Sequence, residues 1–439
     1  MSTAQISPAR ENEIGESLAG KANLHSTRAN SESEKAGSRL RRPRQVLMIV
    51  ENLPVPFDRR VWSEATTLRQ NGYEVSVICP KGKDATSSYE MIDGIHVYRH
   101  WLPKDGDGAI GYLVEYSAAL FWEFALSFKI FVTRRFDVIH ACNPPDLIFL
   151  IGAFYKLFFG KRFIFDHHDV NPELYEAKFG RRGFYWHVVV LLERLTFALA
   201  DISIATNESY RTIAIERGHM KADRVFVVRS GPNLARVRAL PPDLKWNNGR
   251  RYLVAYVGVI GKQEGLDLLM ETVKYLRDTR ARDDIQFVIV GSGPELANVQ
   301  RLAAGLGVGD RVTFTGRVDD EDLFTVLSTA DVCVNPDRPN AMNDKSTMNK
   351  IMEYMALGKP IVQFDLTEGR ASAGQSSLYA RNTDTADFGD KIVDLLEAPL
   401  LRAEMGAFGA ARVKEALSWN NEAPRLLDAY RAVFGLDSA

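Results

Sequence analysis

Cysteine is scarce: Cys79, Cys142 and Cys333 are the only three in 439 residues, and no CxxC pair occurs. That spacing excludes a disulfide framework and a zinc ribbon, and it suits a reducing, cytoplasmic setting. Long apolar runs are missing as well. No stretch of about 18 uncharged apolar residues is present, so no transmembrane helix is expected. The first dozen residues, polar from Ser2 to Asn12, lack the apolar core of a secretory signal. A charge surplus is also absent, with 55 Lys+Arg against 56 Asp+Glu and a net charge of −1. Proteins that neutralise many phosphates carry a basic excess, so a dedicated nucleic-acid binder is excluded. What is present, 46% hydrophobic and 25% charged residues, is the composition of a globular protein long enough for more than one domain.

Residues 1–44 hold 8 Lys/Arg and 5 Glu among Ser, Asn and Ala, and end in the basic cluster Arg39-Leu-Arg-Arg-Pro-Arg44. Such a segment buries too little apolar area to order itself, and is read as a solvated tail or a contact for anionic lipid. From Gln45, short apolar runs such as Val46–Val50, Val75–Cys79, Val138–His140 and Phe163–Phe165 alternate with helical patterns. Strands apolar throughout and separated by helices mean a parallel sheet covered on both faces. Pro, Asn and Gly between Pro232 and Arg251 interrupt the rhythm, which restarts with Tyr252–Val257 and Gln286–Val290. The expected organisation is α/β, with two doubly wound Rossmann-like domains at 45–235 and 251–415, a linker at 236–250, and helices at 416–439 crossing back to the first domain. Ligands of such sheets sit at the carboxyl ends of the strands, here in the cleft between the domains.

Ser346 to Pro360 reads as one helix, capped by Ser346 or Thr347 and stopped by Gly358. Ser346, Asn349/Lys350 and Glu353 share its polar stripe. Its N-terminus suits a diphosphate, Lys350 adds charge, and Glu353, about 10 Å along the axis, can accept hydrogen bonds from both hydroxyls of a ribose. Two glycine loops follow strands, with Gly258, Gly261 and Lys262 in one and Gly291 and Gly293 in the other. Their spacing is not that of a dinucleotide fingerprint, so NAD is not indicated.

These residues resemble the retaining nucleotide-sugar glycosyltransferases of the large family numbered four, which have the two-domain GT-B fold. The resemblance runs from about Gln45 to Phe434. It rests on Ala330-Asp-Val-Cys-Val-Asn-Pro336 and Lys350-Ile-Met-Glu-Tyr-Met-Ala-Leu-Gly-Lys-Pro-Ile-Val362, supported by Val290-Gly-Ser-Gly-Pro-Glu295 and Val312-Thr-Phe-Thr-Gly-Arg317. It implies that Glu353 is the second glutamate of the family's E-x7-E motif and holds the donor ribose. Thr347, Met348 and Asn349 then meet the donor sugar and diphosphate, Arg317 and Val318 border the base, and His168 approaches the transferred sugar, with Asp169 beside it. The first glutamate aligns with Lys345, and Asp344 is the nearest replacement. The family's phosphate-binding Arg and Lys are Val259 and Glu264 here, which leaves Lys262, Lys345 and Lys350 to supply the charge. Pro54-Val-Pro-Phe-Asp-Arg-Arg60 replaces an early Gly-Gly turn and offers Arg59 and Arg60 on the acceptor side.

His140, at a strand end, is expected to face the cleft and touch sugar or acceptor, and Asn143, Asp146 and Glu173 are expected on the acceptor side. No cluster has metal-ligand spacing, so neither metal nor cofactor is expected. The implied activity is transfer from a nucleotide diphosphate sugar, UDP ahead of GDP, to a lipid-linked or polysaccharide acceptor of the exopolysaccharide, capsule or lipopolysaccharide kind. Apolar, aromatic helical segments flanked by Arg134-Arg135, Lys161-Arg162 and Arg181-Arg182 point to peripheral contact with the cytoplasmic face of an anionic membrane. An epimerase of the same fold and a catalytically silent sugar-nucleotide-binding assembly protein are the rival readings.

Overall fold

Alternate residues along the strands divide between two apolar clusters in each lobe, and that division explains the sheets. In β1 (Gln45–Ile49), Val46 and Met48 belong to one buried cluster and Leu47 and Ile49 to another. In β9 (Tyr252–Val257), Val254 and Tyr256 face one core while Leu253 and Ala255 face a second. Side chains leave a strand on opposite faces in turn, so strands apolar on both faces must be covered by helices on both. The computed structural model describes residues 42–436 apart from 84, 103–107 and 145; between 108 and 116 only the backbone is described. The tail read at 1–44 therefore lies almost wholly outside the described residues.

The first lobe adds β2 (Glu74–Pro80), β3 (Tyr89–Ile92), β4 (Ile95–His100), β5 (Val138–Cys142), β6 (Arg162–His167), β7 (Ile202–Ala205) and β8 (Val225–Val227). Their order is β3-β4-β2-β1-β5-β6-β7-β8, parallel except for β3. The β3–β4 hairpin is an addition to the sequence reading. Asp93 and Gly94, with φ of 50° and 77°, form its two-residue turn, a conformation that Asp-Gly favours and that other pairs resist. The second lobe comprises β9, β10 (Ile285–Val290), β11 (Val312–Gly316), β12 (Val332–Asn335), β13 (Ile361–Phe364) and β14 (Ser377–Ala380), in the order β11-β10-β9-β12-β13-β14 and all parallel. The helix Trp419–Phe434 returns to the first lobe, where Leu426, Ala429, Tyr430 and Val433 join the Val46/Met48 cluster. The Trp419 indole N–H fixes its start by donating to Thr67 Oγ1 at 2.9 Å.

One helix differs from expectation. The stretch read as starting at Ser346 is broken into Ala341–Lys345 and Asn349–Ala356. Asn340 caps the first piece, accepting from the N–H groups of Met342 and Asn343, and Ser346 closes it by donating to the Met342 carbonyl. Ser346 and Met348 have extended ψ values of 133° and 109°, so Met348 stands at the N-cap of the second piece.

Candidate active site

A cavity of about 710 Å3 lies where the strand ends of the two lobes meet. The first lobe contributes Leu53–Phe57, the loop after β1, and Arg59, Arg60, Trp62 and Ser63 from the helix Arg59–Gln70. From the second lobe come Arg317, just after β11, Asp320, Asn349 and Glu353, and the connection between lobes adds Ser230–Asn233 and Arg236. Five cationic side chains (Arg59, Arg60, Lys83, Arg236, Arg317) and two carboxylates (Asp320, Glu353) line it. A cleft lined with that excess of positive charge favours an anionic ligand.

Glu353 is the pivot. Its carboxylate accepts from Arg236 Nη2 at 2.7 Å and Arg59 Nη1 at 3.4 Å, and the same two arginines hold Asp320 at 2.9 and 3.0 Å. Burial pushes the Glu353 carboxyl up, and the two guanidiniums act against that rise. Arg236 also lies over the Phe324 ring at 5.1 Å, and Arg317 over Phe57 at 4.5 Å. Arg236 and Asp320 escape the sequence reading because neither belongs to a recurrent spacing: one is the first of two arginines, with Arg238, at the start of the linker, the other one of several acidic residues at a helix start.

The lysines expected at the diphosphate are already partnered. Lys350 Nζ lies 3.0 Å from Asp337, which is 1% exposed, and 3.4 Å from the Tyr256 hydroxyl. Lys345 crosses to the first lobe and pairs with Glu173 at 2.7 Å; Glu173 is itself bound by Arg217 at 2.8 and 3.0 Å. Lys262 is exposed and does not line the cavity. The cationic lining of the cavity is Arg59, Arg60, Lys83, Arg236 and Arg317, and none of Lys262, Lys345 and Lys350 belongs to it, which corrects the expectation that those lysines supply the charge. Glu173, expected at the acceptor, instead belongs to this ion-pair cluster. Asp344 does not take the place of the missing glutamate: its oxygens accept from the N–H and hydroxyl of Thr367, at 2.8 and 3.0 Å, and so start the next helix. Thr347 Oγ1 and Ser346 Oγ bind Asn207 and Tyr210 across the lobes, at 3.0 and 3.2 Å.

The glycine loops serve each other. A Cβ on Gly291 would stand 1.9 Å from the Gly258 carbonyl, and one on Gly293 2.4 Å from the Ile260 carbonyl. Gly258 and Gly291 also take φ of 154° and 138°, which L side chains rarely adopt. The two loops thus pack backbone against backbone, and a Cβ on Gly261 would meet the Glu264 carboxylate at 2.7 Å. Of the expected donor residues, Asn349, Glu353 and Arg317 line the cavity; Met348, Val318 and the four glycines do not.

Behind Arg60 lies a buried polar network. Arg60 donates to Asp166 at 2.8 Å and approaches Glu64 at 3.1 Å, while Asp166 Oδ2 lies 2.5 Å from His168 Nε2 and 3.2 Å from His140 Nε2. Although burial acts in the opposite sense, Arg60 and His168 hold the Asp166 carboxyl well below its usual range. His168 Nε2 thus sits between the Asp166 carboxylate and Arg60 Nε, which lies 2.9 Å from the same nitrogen. Asn143 sets the loop that follows: its Oδ1 accepts from the N–H groups of His168 and Asp169, and its Nδ2 donates to the Asp169 carbonyl and to Asp146. Asn143 and Asp146 are buried, so they position this loop rather than meet an acceptor. His140 is a further correction. It is 0% exposed, bonded to the Tyr430 hydroxyl at 2.8 Å, and its pKa is lowered by burial. It therefore supports Asp166 from within and touches no cleft ligand.

Neither His168 nor Asp169 lines the cavity; Arg60 stands between it and His168. Among the described residues, Glu64, His140, Cys142 and Asp166 bring metal-ligand atoms within 4.8 Å of one another. Arg60 is already ion-paired to both of those carboxylates.

Two family models match the chain: Glycosyltransferase Family 4 over residues 58–236, and Glycosyl transferases group 1 over residues 251–398. The chain belongs to the group 1, family 4 glycosyltransferases. Within this family, alpha-D-kanosaminyltransferase of Streptomyces kanamyceticus is 28% identical over 185 residues, 42% of this chain and 46% of that protein. The GDP-mannose-dependent monoacylated alpha-(1-6)-phosphatidylinositol monomannoside mannosyltransferase of Corynebacterium glutamicum is 30% identical over 169 residues, 37% of this chain and 43% of that protein. The chain thus spans about half the length of the curated relatives it matches. Sucrose-phosphate synthase of Thermosynechococcus elongatus superposes with a TM-score of 0.73 at 19% identity, covering 89% of this chain and 99% of that one. HepE of Anabaena, solved with UDP and glucose, gives a TM-score of 0.67 at 14% identity, covering 89% of this chain and 100% of that one. At such identities the likeness establishes the GT-B fold.

Proposed function

We propose that this family member transfers a sugar, with retention, from a nucleotide diphosphate sugar to a lipid-linked or polysaccharide acceptor at the cytoplasmic face of a membrane. The observation that carries the proposal is the arginine-rich cleft around Glu353. The Glu353 carboxylate holds the donor ribose, Arg317 and Phe57 flank the base, and the N-terminus of Asn349–Ala356 with Arg59 and Arg236 meets the diphosphate. These groups stabilise negative charge on the leaving diphosphate, the largest electrostatic demand of the reaction. His168, oriented by Asp166, polarises the reacting centre once Arg60 yields access to it. Neither a metal nor a cofactor is invoked.

UDP is placed ahead of GDP; the HepE structure contains UDP, whereas the Corynebacterium relative is named for GDP-mannose. Membrane contact is supported by exposed apolar side chains on the helices Gly108–Thr133, Phe149–Phe159 and Phe184–Leu199, including Phe121, Leu157, Phe158 and Phe184 at 66–77% exposure. Lys129, Arg162, Arg181 and Arg182 lie exposed beside them. Among the described residues, no helix is long and apolar enough to cross a membrane. A thermal-shift panel of UDP- and GDP-sugars tests the donor: a ligand at 100 times its Kd should stabilise by about 2.7 kcal/mol. No stabilisation by any member of the panel would overturn the proposal.

A further inference from the structure

Three kinds of metal-binding atom converge behind Arg60. Glu64 comes from the helix Arg59–Gln70, His140 and Cys142 from β5, and Asp166 from β6. His140 and Cys142 stand two apart and leave one face of the sheet, and Cys142 is the register partner of Asp166 on the neighbouring strand. All four residues are 0% exposed. His140 Nε2 lies 3.2 Å from Asp166 Oδ2 and 3.7 Å from Glu64 Oε2, Cys142 Sγ lies 3.9 Å from Asp166 Oδ2, and the four ligand atoms stay within 4.8 Å of one another. Ligands at about 2.0–2.3 Å from a tetrahedral zinc ion stand about 3.3–3.6 Å apart, so these groups close onto an ion with shifts of about 1 Å or less.

Arg60 meets both carboxylates chiefly through their other oxygens. Its Nη2 lies 2.8 Å from Asp166 Oδ1 and 3.1 Å from Glu64 Oε1, so Oδ2 and Oε2 are left on the side of His140 and Cys142. Glu64 Oε2 is buried without a hydrogen-bond partner, an acceptor that a cation would satisfy. Asp166 Oδ2 also has Arg60 Nε at 3.3 Å and His168 Nε2 at 2.5 Å, and His140 Nδ1 has the Tyr430 hydroxyl at 2.8 Å. Outer contacts of this kind orient metal-bound carboxylates and imidazoles. Two carboxylates and a thiolate set three negative charges beside the single positive charge of Arg60, and a divalent ion completes neutrality. Burial pushes the Glu64 carboxyl and the Cys142 thiol up, so each gives its proton to solvent when the ion binds. One sulfur, one nitrogen and two oxygens suit zinc and not magnesium or calcium, which take oxygen at six or more positions.

We propose that Glu64, His140, Cys142 and Asp166 form a structural zinc site that ties the helix Arg59–Gln70 to β5 and β6 beneath the cleft. Four protein ligands close the coordination sphere and leave no position for a substrate, so the ion serves the fold and not the transfer step. Arg60, which lines the cleft cavity, is the layer between that cavity and the ion. Local spacing does not reveal the site, because only His140 and Cys142 are near each other in sequence.

The test uses the full chain, produced in cells supplied with zinc or with cobalt and purified without chelator. Elemental analysis should find about one ion per chain, and the cobalt form should show the strong visible bands of a four-coordinate ion with a thiolate-to-cobalt charge-transfer band in the near ultraviolet. Cys142→Ser should remove the charge-transfer band, whereas Cys79→Ser and Cys333→Ser should keep it. Glu64→Gln, which retains the shape of the side chain, should raise the Kd for zinc at least about tenfold in competition with a chromogenic chelator. If Cys142→Ser fails to fold, Glu64→Gln and the two other cysteine variants decide. Absence of bound metal in the unaltered protein would overturn the proposal, as would the weak visible bands of six-coordinate cobalt. A charge-transfer band undiminished in Cys142→Ser, or lost in Cys79→Ser or Cys333→Ser, would overturn it too, and so would an unchanged Kd in Glu64→Gln. No donor or acceptor enters these readouts, so the site stands or falls apart from the transferase reading.

Discussion

Replacing Arg236 with alanine removes a side chain that makes three ion-pair contacts and one ring contact at the centre of the cleft. Its guanidinium reaches Glu353 at 2.7 Å and both oxygens of Asp320 at 2.9 Å, above the Phe324 ring. The Asp320 side chain is 47% exposed and that of Arg236 26%, so solvent screens these pairs. Their loss should cost folding only about 0–1 kcal/mol. Ligand binding should change far more. If Arg236 faces the donor diphosphate, the lost hydrogen bond to a charged group is worth about 1.5–3 kcal/mol, a rise in Kd of roughly tenfold to a hundredfold. The Glu353 carboxyl, already raised by burial, loses the larger of its two opposing cations and should rise further, so nucleotide binding should also weaken at a higher pH than in the unaltered protein. Calorimetric titration of UDP and GDP between pH 5.5 and 8 measures both effects, with Arg236→Lys as the variant that keeps charge but not the planar fork. If Arg236 only competes with the donor for Glu353, its removal should tighten binding; an unchanged or lower Kd in Arg236→Ala would refute the reasoning.

Three other outcomes follow from the buried groups. Burial raises the Asp146 carboxyl to about 6 from an ordinary value of 3.8. A raised carboxyl stabilises the fold most at low pH and loses that contribution as pH climbs through 6. Asp146→Asn should therefore gain stability relative to the unaltered protein by up to about 3 kcal/mol between pH 4 and pH 7, measured by urea denaturation; a constant difference would count against it. Gly291→Ala should destabilise by at least about 1–3 kcal/mol from backbone conformation alone, because φ is 138° and the new Cβ meets the Gly258 carbonyl; an unaltered melting temperature would contradict that packing. Tyr430→Phe leaves His140 Nδ1 without its partner and should cost about 1–3 kcal/mol in folding, while nucleotide affinity stays the same.

The fold was legible because the strands announce themselves: apolar on both faces, separated by helices, and interrupted once between Pro232 and Arg251. The hairpin at Asp93-Gly94 is absent from the sequence reading because Tyr89–Ile92 has weak apolar patterning, although its turn residues carry a signal. Glu353 could be placed on the cleft from the helix period, which sets it on the same stripe as Asn349, and Arg317 from the family resemblance. The partners of Lys345, Lys350 and Asp344 could not. Glu173, Asp337 and Thr367 lie 172, 13 and 23 residues away, and no local period relates them. His140 shows the same limit from within: a strand-end histidine faces either the cleft or the helix packed behind, and Tyr430, 290 residues later, determines which.

The central claim is that the cleft around Glu353 binds a nucleotide diphosphate sugar for transfer. The most direct measurement is donor hydrolysis, in the absence of acceptor, by the unaltered protein and Glu353→Ala, using whichever UDP- or GDP-sugar stabilises the protein. The account predicts slow hydrolysis by the first and a loss of kcat/KM of at least about tenfold in the second, since one to two hydrogen bonds from ribose hydroxyls disappear. Equal turnover by both proteins would contradict it, and so would turnover by neither.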